Sequence, residues 1–492
     1  MKLLSLIKVL SLPVLLSLIL GAAVSPAVVA QASGASENYI VLYRGSSVPG
    51  DAASVISAAG GTLVQSYDAI GVAIARSNSA SFRSALLRDS RIENASSTTG
   101  FGVSLADITG DSADMPTGDL PNAPATDSDT FSGLQWDMRQ IHAPEAHAIT
   151  GGSREVLVGD IDTGLDYRHP DLVPNLDFAN SVSCVGGVPN QDPAAWDDDS
   201  GHGTHTAGTI AAAANGIGIV GTAPNVRLAA IKVSTPDGWF YPEAVVCSFM
   251  WAAERGFDVT NNSYFADPYL YNCKNDPEQH AIWKAEQRAI RYALSQGVTV
   301  VASAGNSNHD VQHPPQGNQC VRVPSEVSGV IVVGANGNLQ QKSYYSNYSQ
   351  IDVTAPGGDA IYQLTPQAPN GRVLSTYPAR FRNASLVIQD PAVPGAYYRY
   401  LQGTSMAAPH VAGVAALVIS RFGDDNTQNG HLRPGTVRAI INATADSIDC
   451  PANPFRPGTP HETNCTGGPG YNSFNGHGQV NALSAILHDT NN

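Results

Sequence analysis

From Trp136 onward, short apolar, β-branched runs alternate with longer segments of helical spacing, and this alternation narrows the possible folds more than any other feature. The runs Glu155–Ile161, Arg227–Val233, Gly297–Ala302, Val330–Val333 and Ile351–Thr354 lack the polar alternation of a half-solvated strand. They predict strands covered on both faces, as in a parallel sheet. Between them lie helical patterns at Thr204–Ala214, Pro242–Arg255 (opened by proline and closed by Gly256), Glu278–Ser295 and Ser405–Arg421. Strands and helices in this order, joined by right-handed crossovers, predict a doubly wound α/β domain. The Pro- and Tyr-rich stretch 361–402 has no periodicity that assigns it.

The 492-residue chain is long enough for more than this one domain. Residues 1–30 carry Lys2 and Lys8, then an apolar stretch from Val9 to Leu20, then small residues ending at Ala30. That order is a secretory signal peptide, with cleavage after Ala30 or Ala32. The apolar run after Pro13 is shorter than the ~20 residues a bilayer needs, and no later segment reads as a membrane span. Residues 37–95 form a small α+β pattern: an alternating Tyr39–Tyr43 run, helical spacing over Asp51–Ala59, a Gly60-Gly61 turn and the run Gly71–Ala75. Residues 96–133 are rich in Ser, Thr, Asp, Gly and Pro, and read as an exposed, cleavable linker. The domain 134–488 follows.

Composition removes two partner classes. With 27 Lys+Arg against 42 Asp+Glu, the formal net charge is −15 and no basic cluster offers a face to nucleic acid or an anionic membrane. The six cysteines, none in a CxxC pair, agree with export to an oxidising compartment. Of the 15 possible pairings, Cys450 with Cys465 is expected first, because these two bracket a Pro/Asn/Gly-rich stretch with little else to order it. Elimination and weaker proximity leave Cys273 with Cys320 and Cys184 with Cys247.

Three short motifs stand where strands end or helices begin, in the order Asp, His, Ser. Asp162 follows Val158-Gly159-Asp160-Ile161, His202 lies in Asp199-Ser200-Gly201-His202-Gly203-Thr204-His205, and Ser405 lies in Gly403-Thr404-Ser405-Met406-Ala407-Ala408-Pro409-His410. Hydrolysing an amide needs a nucleophile, a base that takes its proton, and a group holding that base in the right tautomer. Ser405, His202 and Asp162 can fill these roles. A helix beginning at Ser405 turns its amide N–H groups and dipole towards a developing oxyanion. Asn306, in Ala304-Gly305-Asn306 just after a strand, adds a side-chain NH2 suited to the same oxyanion. His205 and His410 fit no metal-ligand spacing and are expected to be structural.

Together these residues resemble the subtilisin (subtilase) family of serine proteases from about Trp136 to His488, on intact Asp-Thr-Gly, His-Gly-Thr-His, Ala-Gly-Asn and Gly-Thr-Ser-Met-Ala-Ala-Pro-His motifs. The resemblance implies a three-layer α/β domain with a central, mostly parallel sheet, preceded by a small α+β propeptide. It implies a secreted, monomeric endopeptidase acting on proteins or peptides, with Asp162 as orienting carboxylate, His202 as base, Ser405 as nucleophile and Asn306 as oxyanion donor. The 37–95 unit would be an intramolecular inhibitor whose tail first occupies the active site, with self-cleavage in 96–133. A structural calcium ion is implied as well, held by the side chains of Asp171 and Asn215 and the carbonyls of Ala213, Ile217 and Ile219. Gly238 and Ser263-Tyr264-Phe265 would flank the substrate. Phe265 stands where the family usually has a small glycine, which narrows or reshapes the primary pocket. Trp239 and Phe240 either reshape the cleft or pack in the core.

Overall fold

The computed structural model describes residues 35–101, 103–104, 127–264, 272–313, 319–423 and 432–488. The signal-peptide segment and Phe265 lie outside these residues. Seven strands form one sheet in the order Val353–Pro356, Ile331–Asn336, Thr299–Ser303, Val259–Asn262, Leu157–Asp162, Arg227–Lys232 and Val182–Ser183. Every pairing in it is parallel. The sheet is buried on both faces, which is why its strands read as unbroken apolar runs. The chain winds to one side of Leu157–Asp162 first and then, from Val259, to the other. The winding therefore reverses between these two strands, and a crevice opens at their carboxyl ends.

Helices Pro242–Glu254 and Pro277–Ser295 cover one face, and helices His202–Ala211, Thr404–Phe422, Pro434–Thr444 and Ala482–Ile486 the other. Pro277 opens its helix at the first position, and the Asp276 carboxylate accepts from the N–H groups of Glu278 and Gln279. Contrary to the sequence expectation, one later segment, Thr404–Phe422, is long and apolar enough to cross a membrane. Its most apolar window is 83% buried within the protein, so this apolarity belongs to a core helix packed on the sheet.

The small N-terminal unit is an antiparallel sheet in the order Gly61–Tyr67, Val72–Ser77, Glu37–Tyr43 and Ile92–Ser97, with helices Ala52–Ala58 and Phe82–Leu86 closing its own core. It sits on the two helices Pro242–Glu254 and Pro277–Ser295. Arg288 donates to the carbonyls of Tyr43 and Ile70, Lys284 pairs with Glu93, and the Tyr67 hydroxyl donates to the Gly187 carbonyl at 2.7 Å.

The 96–133 stretch is only partly the exposed linker its composition implies. Ser96 and Ser97 end the strand Ile92–Ser97. At the other end, His147 Nδ1 lies 3.0 Å from Asp127, Asn215 N–H donates to Asp129 Oδ2 at 2.9 Å, and Phe131 N–H donates to the Gly218 carbonyl. The carboxylates of Asp127 and Asp129 are bonded to the domain, and composition alone does not distinguish such residues from solvated ones. Residues 105–126 lie outside the described part.

Within 361–402 the structure forms a three-stranded antiparallel sheet in the order Val373–Tyr377, Tyr397–Leu401, Val387–Gln389. Its polar members are buried because they are paired: Arg399 donates to the Tyr377 hydroxyl at 2.7 Å and to the Ser385 carbonyl at 3.1 Å. The cysteines pair as Cys184–Cys247, Cys273–Cys320 and Cys450–Cys465. The last bridge closes a loop anchored by Arg456, whose guanidinium meets the buried Asp359 at 2.9 Å.

Candidate active site

Asp162 ends the strand Leu157–Asp162, His202 begins the helix His202–Ala211, and Ser405 is the second residue of the helix Thr404–Phe422. Asp162 meets His202 directly, and Ser405 is tied to Ser263 at the end of the neighbouring strand, at the crevice where the winding reverses. His202 Nδ1 lies 2.8 Å from Asp162 Oδ1, which also accepts from the Thr163 N–H at 2.7 Å. Asp162 is wholly buried, whereas His202 and Ser405 are each 6% exposed, so only the base and the hydroxyl reach the cleft. The sheet register pairs Asn262 with Ile161 and so sets Ser263 beside Asp162. The Ser405 hydroxyl donates to the Ser263 carbonyl at 3.0 Å, and the Ser263 hydroxyl donates to the Ser405 carbonyl at 2.9 Å.

The glycines of the motifs serve close approach. A Cβ on Gly203 would come 2.2 Å from the Gly164 carbonyl oxygen, so a side chain there would push the His202 helix off the Asp-Thr-Gly turn. Gly164 itself sits at φ +105°, and its Cβ would strike the Trp196 carbonyl at 2.5 Å.

Asn306 is held by its oxygen: Oδ1 accepts from the Thr404 N–H at 2.9 Å and the Thr404 hydroxyl at 2.8 Å. Its NH2 is thereby fixed next to the turn that carries Ser405. An amide donor and the helix N-terminus then converge where negative charge would develop on a carbonyl oxygen attacked by Ser405.

Sequence reasoning missed Asp198. This carboxylate is fully buried, and accepts from the N–H groups of Ser200, Gly201 and Thr204, each at 2.9 Å, and from the hydroxyls of Thr163 and Thr204. It thus joins the His202 helix to the Asp162 turn. Burial raises its carboxyl above the usual range, against the pull of these donors. Its only signal in the sequence is a run of three acidic residues, Asp197 to Asp199, which looks like solvated surface. His205 and His410 are structural in their contacts. His205 Nε2 lies 2.9 Å from the Arg399 carbonyl, and burial pushes that imidazole down to about 3. His410 bridges the Met406 carbonyl and Asp137.

The four residues expected to flank substrate separate. Ser263 is in the site. Gly238 closes a turn at φ +80°, its N–H donating to the Thr235 carbonyl at 2.8 Å, just before the strand Trp239–Phe240. The Tyr264 ring is 1% exposed and stacks on Phe240 with centroids 5.2 Å apart, so it belongs to the core and only its backbone remains for a ligand. Phe240 packs likewise, whereas Trp239 is 41% exposed. The strand Val103–Ser104 pairs antiparallel with Trp239–Phe240, Ser104 opposite Trp239.

The five residues named for a cation also come together. The Ala213 N–H donates to the Asp171 carbonyl at 2.9 Å, and Asp171 Oδ2 accepts from the Ile219 N–H at 3.1 Å and the Tyr398 hydroxyl at 3.0 Å. Asp171 Oδ1 is buried without a partner, and burial pushes this carboxyl up to about 8. Asn215 lies within hydrogen-bond reach of Asp171, and Oδ1 of Asn215 accepts from the Ile217 N–H at 3.1 Å. Asp129, which the sequence reading did not single out, adds a second carboxylate at the loop and raises Asp171 further. Among the described residues no three His, Cys, Asp or Glu side chains converge as a metal-ligating group. A cation here would therefore draw on carbonyl and amide oxygens as well as carboxylate, a donor set suited to a hard ion.

Known proteins resemble this chain in sequence and in fold. A profile described as the subtilase family matches residues 153–478. The chain is 31% identical over 346 residues to the thermophilic serine proteinase of Bacillus sp. (strain AK1), covering 69% of each chain. It is 35% identical over 311 residues to subtilisin DY of Bacillus licheniformis, covering 63% of this chain and 90% of that one. Among solved structures, the epidermin leader peptide processing serine protease of Staphylococcus aureus superposes with a TM-score of 0.67 at 22% identity, over 92% of this chain and 99% of that one.

Proposed function

Since the chain belongs to the subtilase family and is a subtilisin-like serine protease, we propose that it is a secreted endopeptidase working through Asp162, His202 and Ser405, made as a zymogen that cuts itself. The contact of His202 with Asp162, with Ser405 tied to Ser263 on the next strand and Asn306 to Thr404, supports this reading. In it, His202 takes the proton of the Ser405 hydroxyl as Oγ attacks the scissile carbonyl. Asp162 holds Nδ1 and stabilises the imidazolium. The oxyanion is met by the Ser405 N–H and the Asn306 NH2. His202 returns the proton to the leaving amine, and water then resolves the acyl-enzyme by the same route. A fluorophosphonate ester should place a single adduct on the peptide containing Ser405, with matching loss of casein hydrolysis. Label on Ser303 or Ser307 instead would sink this assignment.

The small antiparallel unit serves as the propeptide in this proposal, and the pairing of Val103–Ser104 with Trp239–Phe240 supports it. An extended tail laid on an exposed strand edge is how a protease strand receives a peptide. Ser104 is thus held at one end and Asp127 at the other, which narrows the expected self-cleavage to 105–126. Export would follow signal-peptide removal, and the three disulfides suit that compartment. Calcium is proposed at Asp171, Asn215, Ala213, Ile217 and Ile219, with Asp129 added; bound there it would neutralise the buried carboxylates and tie the loop to the segment after the cleavage point.

Release of the propeptide should respond to pH. Glu243 is buried at the junction: its Oε1 accepts from Asn38 Nδ2 at 2.8 Å, with Thr98 and Arg76 nearby on the propeptide side. Burial holds this carboxyl above the usual range despite these partners. Release exposes the carboxyl, so docking takes up a proton and weakens as pH rises from the ordinary glutamate value of about 4.3 through the raised value of the docked carboxyl. Gel filtration of the cleaved chain should show less retained propeptide at about pH 7 than at about pH 4. Glu243→Gln should flatten that difference; an equally steep dependence in this variant would assign the effect elsewhere.

A further inference from the structure

Asp160 stands two residues before Asp162 on the same buried strand, so both carboxylates face the same layer of helices. Its Oδ2 accepts from the Thr206 hydroxyl at 2.7 Å, and Thr206 lies one helical turn beyond His202. Its Oδ1 accepts from Asn261 Nδ2 at 2.8 Å, which also reaches the Ser263 hydroxyl at 3.0 Å. Ser263 in turn donates to the Ser405 carbonyl at 2.9 Å. A continuous chain of hydrogen bonds therefore runs from the helix bearing the base, through Asp160, to the residue bearing the nucleophile. The triad motif does not include it.

We propose that Asp160 is a positioning residue of the hydrolytic reaction: as a neutral carboxylic acid it ties the His202 helix to the Ser263–Ser405 contact and holds base and nucleophile at their working separation. The inference rests on the reading of Ser405 and His202 as nucleophile and base.

The hydrogen-bond pattern accommodates the neutral form. The Thr206 hydroxyl has one proton, yet it faces three oxygens: Asp160 Oδ2, the Gly203 carbonyl at 3.0 Å and the His202 carbonyl at 3.4 Å. At this contact donor and acceptor can exchange: a protonated Asp160 donates to the Thr206 oxygen, the Thr206 proton turns to the Gly203 or His202 carbonyl, and every contact is kept. The charged or titratable groups facing Asp160 are Asp162 and His202, and its other neighbours, Thr206 and Asn261, are neutral donors. Full burial and the nearby charge of Asp162 both hold the Asp160 carboxyl well above the usual carboxylate range. A neutral acid also leaves His202 facing one carboxylate charge, that of Asp162.

Asp160→Asn and Asp160→Ala separate the tie from mere filling of space. Asparagine offers the donor and acceptor of a protonated carboxyl, so kcat should stay within about threefold of wild type and the acidic limb of the pH–rate profile should not move. Alanine cuts the chain of hydrogen bonds, and kcat should fall by about 100-fold at an unchanged KM, the loss expected when reacting groups are misplaced by a fraction of an ångström to an ångström. Equal loss in both variants, a change confined to KM, or a wild-type rate in Asp160→Ala would overturn the proposal. A shift of the acidic limb to lower pH in Asp160→Asn would show an ionised Asp160 and overturn it too, and this reading stands even where the alanine variant fails to fold. Wild-type turnover that survives Ser405→Ala would instead refute the underlying assignment of the nucleophile.

Discussion

Ser405→Ala should lower peptide hydrolysis by about 10⁶-fold, a loss whose size comes from the corresponding substitution in subtilisin itself and is carried over to this relative. In the proposed mechanism the substitution removes the oxygen that would form the acyl-enzyme, while the Asn306 NH2 and the helix N-terminus remain to bind the carbonyl. The remaining rate over water should therefore be that of binding and oxyanion contact alone. The same variant should stay uncut between Ser104, paired with Trp239, and Asp127. Intact mass of wild type and variant, expressed side by side, reads both ends of the cut. A wild-type mass lacking everything up to 105–126, beside a full-length variant, assigns maturation to Ser405. If both chains are processed alike, a different protease matures the enzyme and the self-cleavage proposal fails.

Removing calcium should lower the melting temperature of the mature enzyme. Asp171 is buried with one oxygen unpartnered and a second carboxylate, Asp129, close by, a cost that a divalent cation would cancel. At free calcium about 100-fold above its dissociation constant, binding contributes about 2.7 kcal/mol. For a domain of this size that corresponds to roughly 4 °C. Scanning calorimetry with and without a chelator measures the difference, and Asp171→Asn should melt at the same temperature in both. An unchanged wild-type melt would refute the calcium site.

The sheet was legible because its signal is local. A strand covered on both faces needs consecutive apolar residues, and Leu157–Asp162, Arg227–Lys232 and Thr299–Ser303 fall within a residue or two of the runs that announced them. The central strand Val259–Asn262 escaped notice, since its Thr and Asn residues read as a loop until their partners are known; the side chain of Asn261, for one, is spent on Asp160 and Ser263. The sheet within 361–402 escaped for the same reason, because Arg399 becomes a core residue only once Tyr377 and Ser385 accept its protons. Tyr264, assigned to the substrate strand by its place in Ser263-Tyr264-Phe265, has its ring stacked on Phe240 in the core, which the motif alone does not reveal.

The amino-acid sequence by itself determined the parallel α/β architecture and the candidates Asp162, His202, Ser405 and Asn306, because burial pattern and turn chemistry are properties of neighbouring residues. Only the tertiary structure decided that Asp160, Asp198 and Asp129 are buried and bonded, that Val103–Ser104 pairs with Trp239–Phe240, and that Asp127 to Phe131 belong to the folded domain. Their partners lie dozens of residues away in the chain, and a buried carboxylate differs from a solvated one only in what the fold brings to meet it.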